Sequence, residues 1–239
     1  MNILEVRGLH VKYGRFEAVK GVSFAIPVGS ILSIVGESGS GKSTIAKALI
    51  GLESPSQGEI RGDRASMQMI FQDAVGSLNP RMTVRDTLAE VLKVKKIKNK
   101  TPNELVELVG LSPAVLDQYP REMSGGQCQR VSIARALASS PKLLIADEPV
   151  SALDVSVQAR ILNLLRDLRK RLNLSILLIA HDLAVVKNVS DYVCVMEKGK
   201  FVDAGKSEDV FSKPESDYTK KLLSVVPTIG FTEKENDNE

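Results

Sequence analysis

The stretch SILSIVGESGSGKSTIAKALIGL, residues 30–52, decides how the rest of the chain can be interpreted. Ser30–Val35 is rich in aliphatic and β-branched residues, which is typical of a buried strand. Gly36–Ser43 then reads GESGSGKS and satisfies the complete pattern G-x-x-x-x-G-K-[ST]. The apolar residues of Lys42–Leu52 are spaced as on one face of a helix. The stretch therefore predicts a strand, a glycine-rich loop and a helix, in the order that a phosphate-binding loop requires.

This loop has the residues that phosphate chemistry needs. Glycines let backbone N–H groups turn inward as an anion nest, and the following helix N-terminus adds its positive end. Lys42 is expected to reach the β- and γ-phosphates of a nucleotide, and Ser43 to bind Mg²⁺. The alternative is a glycine-rich turn that matches by chance, and the flanking strand and helix disfavour it. The expected nucleotide contacts are Gly36, Ser38, Gly39, Ser40, Gly41, Lys42, Ser43 and Thr44.

A pair of carboxylates supplies the second half of such a site. The sequence LLIADE, Leu143–Glu148, places Asp147 and Glu148 at the end of an apolar run that predicts a buried strand. Asp147 is expected to bind Mg²⁺, and Glu148 to orient or deprotonate the attacking water. An acidic pair after an apolar run is by itself usually a strand end that meets solvent. Together with the phosphate loop, the functional interpretation is the better one.

Composition narrows the class of protein. Of the 239 residues, 43% are hydrophobic, 4% are aromatic and none is Trp, which favours an aliphatic parallel sheet covered by helices. The net charge of +3 is too small to argue for a nucleic-acid partner. Cys128 and Cys194 lack metal-ligand spacing and are interpreted as buried thiols in a reducing cytosol. The N-terminal sequence shows no export signal and no apolar run has the length of a membrane span, so membrane association is expected through another protein.

The order of apolar patterns predicts an α/β fold with two additions. Ile3–Val6 and Phe16–Ile26, broken by glycines, predict an antiparallel opening. Val84–Ala138 has helical periodicity and predicts a helical subdomain. Leu143–Ala146 and Ile176–Ala180 are strand-like runs, which fits the strand–helix–strand order of a parallel sheet.

Three further segments complete this division. The helix between those two strands is expected at Val157–Leu172. The charge run KVKKIKNK, residues 93–100, is interpreted as a solvated helix end or loop in preference to an anionic-lipid contact. The polar stretch EKENDNE, residues 233–239, is expected to be disordered.

The sequence MSGGQ, Met123–Gln127, lies between the phosphate loop and LLIADE and is followed by a predicted helix. It resembles the signature of ABC transporter ATPases, with Met123 where leucine is usual. The resemblance covers the chain from Tyr13 to about Leu223, with the motifs in the family's order. The matching residues are Tyr13 for adenine stacking, Gln72 in IFQD as the Q-loop glutamine, SALD at 151–154 as the D-loop and His181 as the switch histidine.

The resemblance implies a P-loop NTPase ABC ATPase core, an N-terminal antiparallel β-subdomain and an inserted α-helical subdomain. On that pattern the chain is one domain, with its core at about 1–80 and 139–213, the helical subdomain at 81–138 and a C-terminal helix and disordered tail at 214–239. The implied activity is ATP hydrolysis coupled to transmembrane transport, with ATP and Mg²⁺ as cofactors. The implied catalytic residues are Gln72, Glu148 and His181, and the implied metal ligands are Ser43, Gln72 and Asp147.

The signature has a further implication for assembly. In the family, this stretch closes on the nucleotide that the opposing subunit holds, so ATP joins a head-to-tail dimer. Ser124, Gly125, Gly126 and Gln127 are therefore expected to contact a partner's nucleotide. A hydroxyl and backbone amides at a helix N-terminus can form such an anion site.

Each finer match has a plainer alternative. Tyr13 could be a surface aromatic of a hairpin, and Gln72 a polar strand end that only its position in the family promotes. His181 ends an apolar strand, where a lone histidine is more often structural. That end of a strand is nevertheless where ligands bind in open α/β sheets.

Three stretches resemble the peptide and nickel importer branch. They are FQDAVGSLNPR at 71–81, DEPVSALDVSVQARIL at 147–162 and YTKKLL at 218–223. The chain departs from many relatives in a compressed 58–72 segment and in lacking a cysteine-bearing C-terminal extension, so the substrate stays open between peptides, nickel or metal chelates and other solutes.

The importer resemblance also implies partners. Transmembrane permease subunits are expected, with a second, different ATPase subunit and, indirectly, a solute-binding protein. The expected place is the cytoplasmic face of the membrane, as a peripheral subunit. The segment Gln72–Pro80 is expected to form part of the groove that receives a permease helix.

Two other classes stay as alternatives. A non-transport ABC ATPase of DNA repair would place a long coiled coil between phosphate loop and signature, and Lys42 and Ser124 are too close for one. A translation factor of the family would carry two ATPase domains. A P-loop kinase for a small molecule would have no use for MSGGQ or SALD.

Overall fold

The structure, a computed structural model, describes residues 1–151 and 153–224, so the expected disordered tail lies outside the described residues. In chain order the strands and helices are β1 (Asn2–Tyr13), β2 (Phe16–Pro27), β3 (Ile31–Val35), α1 (Lys42–Ile50), β4 (Gln57–Arg61), β5 (Met67–Ile70), α2 (Val84–Val94), α3 (Pro102–Leu108), α4 (Gly125–Ala138), β6 (Leu143–Asp147), α5 (Val155–Leu172), β7 (Ser175–Ala180), α6 (Leu183–Lys187), β8 (Tyr192–Glu197), β9 (Lys200–Lys206), α7 (Ser207–Ser212) and α8 (Asp217–Ser224).

The central sheet brings distant motifs to one edge. Its strands lie in the order β5-β6-β7-β3-β8-β9, and all neighbours are parallel except β8 and β9. Val35, the last residue of β3, pairs with Ala180 of β7, and Asp147 of β6 pairs with Ile179. The carboxyl ends of these strands therefore meet, which is where ligands bind in open α/β sheets.

Alternate residues of the buried strands build two hydrophobic cores. Leu32 and Ile34 of β3 belong to the core shared with α1 and the small antiparallel sheet. Ile31 and Val35 of the same strand belong to the core that includes α4 and α5. Because both faces are covered, the strand is aliphatic almost throughout, as expected for a parallel sheet.

The opening of the chain is a three-stranded antiparallel sheet in the order β2-β1-β4. Its strands β1 and β2 each have 12 residues and are joined by a two-residue turn at Gly14 and Arg15. The predicted antiparallel opening is correct, but β1 is longer than the Ile3–Val6 run. Register shifts along the β1–β2 pair interrupt the apolar alternation, which explains the shorter prediction. The predicted α/β fold with an added antiparallel sheet is confirmed.

The helices between β5 and β6 begin at clear local signals. Each of α2, α3 and α4 starts with a capping box, formed by Thr83 with Asp86, Thr101 with Glu104 and Ser124 with Gln127. In each pair the two residues satisfy one another's backbone N–H groups, which fixes the first turn of the helix. The α4 helix is the central one, and most of its residues are buried against the sheet and its neighbours.

The structure also tests the predictions for the cysteines, the charge run and membrane-spanning segments. Cys128 and Cys194 are both free and buried, and burial raises the pKa of the Cys194 thiol to about 12. Lys93, Lys95, Lys96 and Lys98 of the charge run are exposed, as the solvated interpretation requires, whereas Lys100 is partly buried and donates to Leu137 O at 2.9 Å. Within the ranges 1–151 and 153–224, no helix combines the length and apolarity needed to cross a bilayer.

Candidate functional site

A cleft of about 530 Å³ opens at the carboxyl edge of the central sheet. The phosphate-loop region, the β1–β2 hairpin and the ends of neighbouring strands all contribute to its walls. The lining residues are Tyr13, Phe16, Ala18, Glu37, Ser38, Gly39, Gly41, Lys42, Ser43, Thr44, Gln72, Glu148 and His181. Most of the residues singled out in the phosphate loop, the Q-loop and the switch position thus converge on one space.

Glycines of the loop are required by close backbone contacts. A Cβ at Gly36 would lie 2.1 Å from the carbonyl oxygen of Met196, and a Cβ at Gly41 would lie 2.4 Å from that of Ala18. Gly41 also has φ +112°, a conformation that favours glycine. Gly36 and Ser40, predicted as nucleotide contacts, are not among the residues that line the cleft. The Ser40 hydroxyl is buried and has no hydrogen-bond partner among the described residues.

Lys42 is a buried cation at the base of the cleft, with a side chain only 3% exposed. Its Nζ donates to the carbonyl oxygens of Gly36, at 2.8 Å, and Glu37, at 2.9 Å, and lies 3.9 Å from Glu148 Oε1. Burial lowers the pKa of Lys42, while Glu148 and Asp147 act in the opposite direction. A buried lysine so placed, in a cleft lined by the phosphate-loop residues, fits an anionic group such as a phosphate.

Two oxygen ligands suited to a hard cation lie together behind the loop. Ser43 Oγ donates to Asp147 Oδ1 at 2.9 Å, although the two residues are far apart in sequence. Burial raises the pKa of Asp147, and the hydrogen bond from Ser43 opposes that change. No group of three or more His, Cys, Asp or Glu side chains in the described part of the chain could hold a metal alone. Mg²⁺ in nucleotide sites commonly uses one or two side chains and the substrate's phosphates, so these residues fit that ion.

Glu148 lines the cleft and has a strained backbone conformation. Its φ of +46° is left-handed, which costs roughly 1 kcal/mol for a residue other than glycine. Its N–H donates to Ile179 O at 3.0 Å, and its Oε2 accepts from Gln72 Nε2 at 2.9 Å. Such strain persists where the surrounding structure fixes it, and it is common at functional sites.

The β1–β2 hairpin places two aromatic side chains at the rim. Tyr13 is 41% exposed and Phe16 is 64% exposed, and they face each other across the two-residue turn. Both line the cleft, which suits stacking on a planar base. Tyr13 was predicted from the sequence as a stacking residue, and Phe16 was not. The signal was available in YGRF, where two aromatics flank a tight turn and must point to the same side.

The signature residues are not part of this cleft. Ser124, Gly125, Gly126 and Gln127 line a separate cleft of about 320 Å³, which also contains Arg130, Leu153, Asp154, Val157 and Arg160. The two clefts have no lining residue in common. Within one chain, the structure therefore brings together the phosphate loop, the carboxylates and His181, and places the signature residues in a separate cleft with Arg130, Arg160 and Asp154.

Comparisons with known proteins agree with this geometry. The model of the family described as ABC transporter matches residues 19–151. The oligopeptide transport ATP-binding protein OppF of Lactococcus lactis subsp. lactis (strain IL1403) is 46% identical over 237 residues, which span 91% of this chain and 74% of that protein.

Solved structures of ABC ATPases have the same fold as this chain. The cbiO1 protein from Clostridium perfringens, part of the ABC transporter complex cbiONQ, superposes with a TM-score of 0.80 at 30% identity over 89% of this chain and 91% of its own. An ATP-binding cassette solved as a dimer in a post-hydrolysis state, bound to ADP and Pi, has a TM-score of 0.74 at 26% identity and covers 85% of this chain and 98% of its own. Since the family model spans more than half of the chain and a relative matches it almost throughout, the chain belongs to the ABC transporter family and is an ATPase of that family.

Proposed function

We propose that this chain is the ATP-hydrolysing subunit of a multi-subunit importer for peptides, docked on the cytoplasmic face of the membrane. The observation that carries the proposal is the convergence of Lys42, Ser43, Asp147 and Glu148 at one sheet edge. The peptide substrate is supported by the oligopeptide transport relative, which is 46% identical to this chain.

The loop residues would hold the polyphosphate of ATP. Backbone amides of the loop and the start of α1 provide partial positive charge, and Lys42 adds a full charge at low exposure. Because Lys42 already bonds two carbonyl oxygens, one of its three N–H groups remains for a phosphate oxygen. Tyr13 and Phe16 would stack on the base at the rim.

Ser43 and Asp147 would hold Mg²⁺, with Gln72 as a further ligand. The bound ion supplies charge neutralisation at the phosphate oxygens. Glu148 would orient the attacking water and accept its proton, because its carboxylate faces the cleft and is fixed by Gln72. His181, directly after β7, lines the same cleft and would contact the terminal phosphate.

Replacing Lys42 with alanine should lower affinity for a non-hydrolysable ATP analogue by about 10- to 100-fold, since a charge-assisted hydrogen bond is lost. Calorimetric titration of the full chain measures the change. Lys47→Ala is the matched control, because Lys47 lies on the same helix outside the cleft and should leave affinity almost unchanged. Equal affinity in the Lys42 variant and the wild type would contradict the assigned contact.

A surface groove supports a permease partner. A cavity of about 410 Å³ lies between the edge strand β5 and α2 and α4, lined by Gln68, Met69, Phe71, Ser77, Val91, Arg135 and Ala136. Arg135 donates to Ser77 O at 2.6 Å and to Ser77 Oγ at 3.1 Å, which ties the segment after Gln72 to α4. We infer that a permease helix docks here and that residues 81–138 move as a helical subdomain against the core at 1–80 and 139–213.

Crosslinking tests this docking. Phe71 is 39% exposed, lines this groove and directly precedes Gln72, so a cysteine at this position should crosslink to the permease in the assembled transporter. The yield should differ between the ATP-bound and ADP-bound states, because Gln72 links this segment to Glu148. Leu172→Cys, 45% exposed at the end of α5, is the control and should not crosslink. Absence of crosslinks from Phe71→Cys in every nucleotide state of an intact complex would reject the groove.

The function as a whole is tested with the assembled transporter in vesicles. Peptide uptake that requires ATP, and ATPase activity that rises with peptide, would support the proposal. Uptake of a nickel chelate without peptide uptake would reject the peptide substrate. Failure of the chain to purify with any integral membrane protein would reject the transporter role.

A further inference from the structure

The C-terminal helix α8 reaches the phosphate loop through one tyrosine. The Tyr218 hydroxyl accepts a hydrogen bond from the backbone N–H of Glu37 at 3.1 Å. That N–H belongs to the peptide that joins Gly36 to Glu37, and the carbonyl of the same peptide accepts from Lys42 Nζ at 2.8 Å. In a trans peptide the N–H and C=O point in opposite directions. Tyr218 and Lys42 therefore hold one peptide plane from its two ends.

Tyr218 is itself held in place by a buried carboxylate. Asp203 of β9 accepts from the backbone N–H groups of Glu215, at 3.0 Å, and Ser216, at 3.1 Å, and from the hydroxyl of Thr219. Thr219 is fully buried, so this cluster anchors the start of α8. The helix also packs against β9 and against α6, which follows His181. The hydroxyl of Tyr218 is thus presented to the loop by an anchored element.

The Gly36–Glu37 peptide, held by Tyr218, is one of the groups that position the ammonium of Lys42. The Glu37 carbonyl also accepts from Lys42 Nζ, at 2.9 Å, and from the N–H of Ser40, at 3.2 Å. The orientation of the Gly36–Glu37 peptide therefore helps to decide where the ammonium points. If that peptide could rotate, the loop and Lys42 would have to be ordered again whenever a nucleotide binds, which lowers affinity.

We propose that Tyr218 is a positioning residue that fixes the Gly36–Glu37 peptide for phosphate binding and couples the C-terminal helix to nucleotide occupancy. The inference rests on the proposed phosphate role of Lys42. Because coupling free energies are reciprocal, α8 should stabilise the bound nucleotide and the nucleotide should stabilise α8.

The first test removes only the hydroxyl. Tyr218→Phe keeps the ring, which packs against the core, and deletes the acceptor of the Glu37 N–H. Affinity for MgADP, measured by calorimetry on the full chain, should fall by about 3- to 10-fold, the effect of one neutral hydrogen bond. In the assembled transporter, KM for ATP should rise by a similar factor while kcat and the melting temperature stay close to those of the wild type.

A matched control separates this role from packing. Tyr192 begins β8 at the opposite end of the sheet from the loop, so Tyr192→Phe should bind MgADP as the wild type does. If Tyr218→Phe also binds MgADP with wild-type affinity, the tyrosine serves only for packing and the inference is wrong. A fall in melting temperature that accounts for the affinity loss would overturn it as well.

The second test measures the coupling directly in α8. Hydrogen exchange of the amides at 217–224 in the wild-type chain should slow when MgADP binds, and slowing should be lost in Tyr218→Phe. Unchanged exchange in a chain that does bind MgADP overturns the coupling alone. A wild-type chain that binds no MgADP would overturn the proposed function together with this inference.

Discussion

Replacing Glu148 with glutamine is expected to leave MgATP bound and to slow its hydrolysis by about 100- to 10,000-fold, the usual contribution of a general base. Glutamine has the shape of glutamate and can keep a hydrogen bond with Gln72, but it cannot accept the proton of water. Lys42, Ser43 and Asp147 are untouched, so the contacts proposed for the phosphates and Mg²⁺ remain. Affinity should therefore stay near the wild-type value or rise.

Single-turnover hydrolysis by the assembled transporter, with nucleotide retention measured in parallel, separates the two quantities. Glu197→Gln is the matched control, because Glu197 is another carboxylate at the carboxyl end of a sheet strand but lies outside the cleft. It should hydrolyse ATP at close to the wild-type rate. Near-normal turnover in the Glu148 variant would show that another group activates the water.

The local parts of this site could be predicted from the sequence because they are encoded locally. Gly36–Ser43 contains both the glycines that permit close backbone approach and the lysine, in eight consecutive positions. The capping pairs Thr83 with Asp86 and Ser124 with Gln127 likewise lie three residues apart, so the starts of α2 and α4 were within reach of pattern analysis. The alignment of the motif order with a known family then supplied the roles that the local patterns could not.

The atomic contacts between distant segments could not be predicted from the residues alone, although the motifs assigned Ser43 and Asp147 to one Mg²⁺ site. The hydrogen bond from Ser43 to Asp147 depends on the strand order, which places β3 next to β7 and β7 next to β6. Tyr218 meets Glu37 only because Asp203 of β9 anchors α8 beside the sheet edge. The left-handed backbone of Glu148 has no sequence signal either, since it arises from packing of the strand end against β7.

A second large effect on the ATPase rate is expected from the cleft that the signature residues 124–127 line. Ser124 caps α4 and lies in a cleft that also contains Arg130, Arg160 and Asp154, so an anion that enters meets a helix N-terminus and two cations against one carboxylate. No residue of the chain's own phosphate cleft lines this second cleft. We therefore propose that a phosphate bound in this second cleft would belong to a nucleotide held by another subunit.

Ser124→Arg should therefore leave affinity for MgADP in the chain's own cleft within about twofold, while the ATPase rate of the assembled transporter falls by roughly 100-fold or more. The long side chain would fill the anion site and keep the subunits apart. Loss of the cap alone would cost the helix about 1 kcal/mol. Thr101→Arg removes an equivalent capping box from α3 outside both clefts, so it should keep most of the ATPase rate.

The effect of Ser124→Arg also depends on which ATPase subunit is the partner of this chain. We propose that the partner is a related but different ATPase, so that this chain supplies Lys42 and Glu148 to one composite site and Ser124 to the other. Native mass spectrometry of the complete transporter should then show one copy of each ATPase. If it shows two copies of this chain and no second ATPase, the heterodimer is wrong, yet Ser124→Arg should still abolish activity because both sites would carry the arginine. Full ATPase activity of Ser124→Arg in either assembly would instead reject the shared site itself.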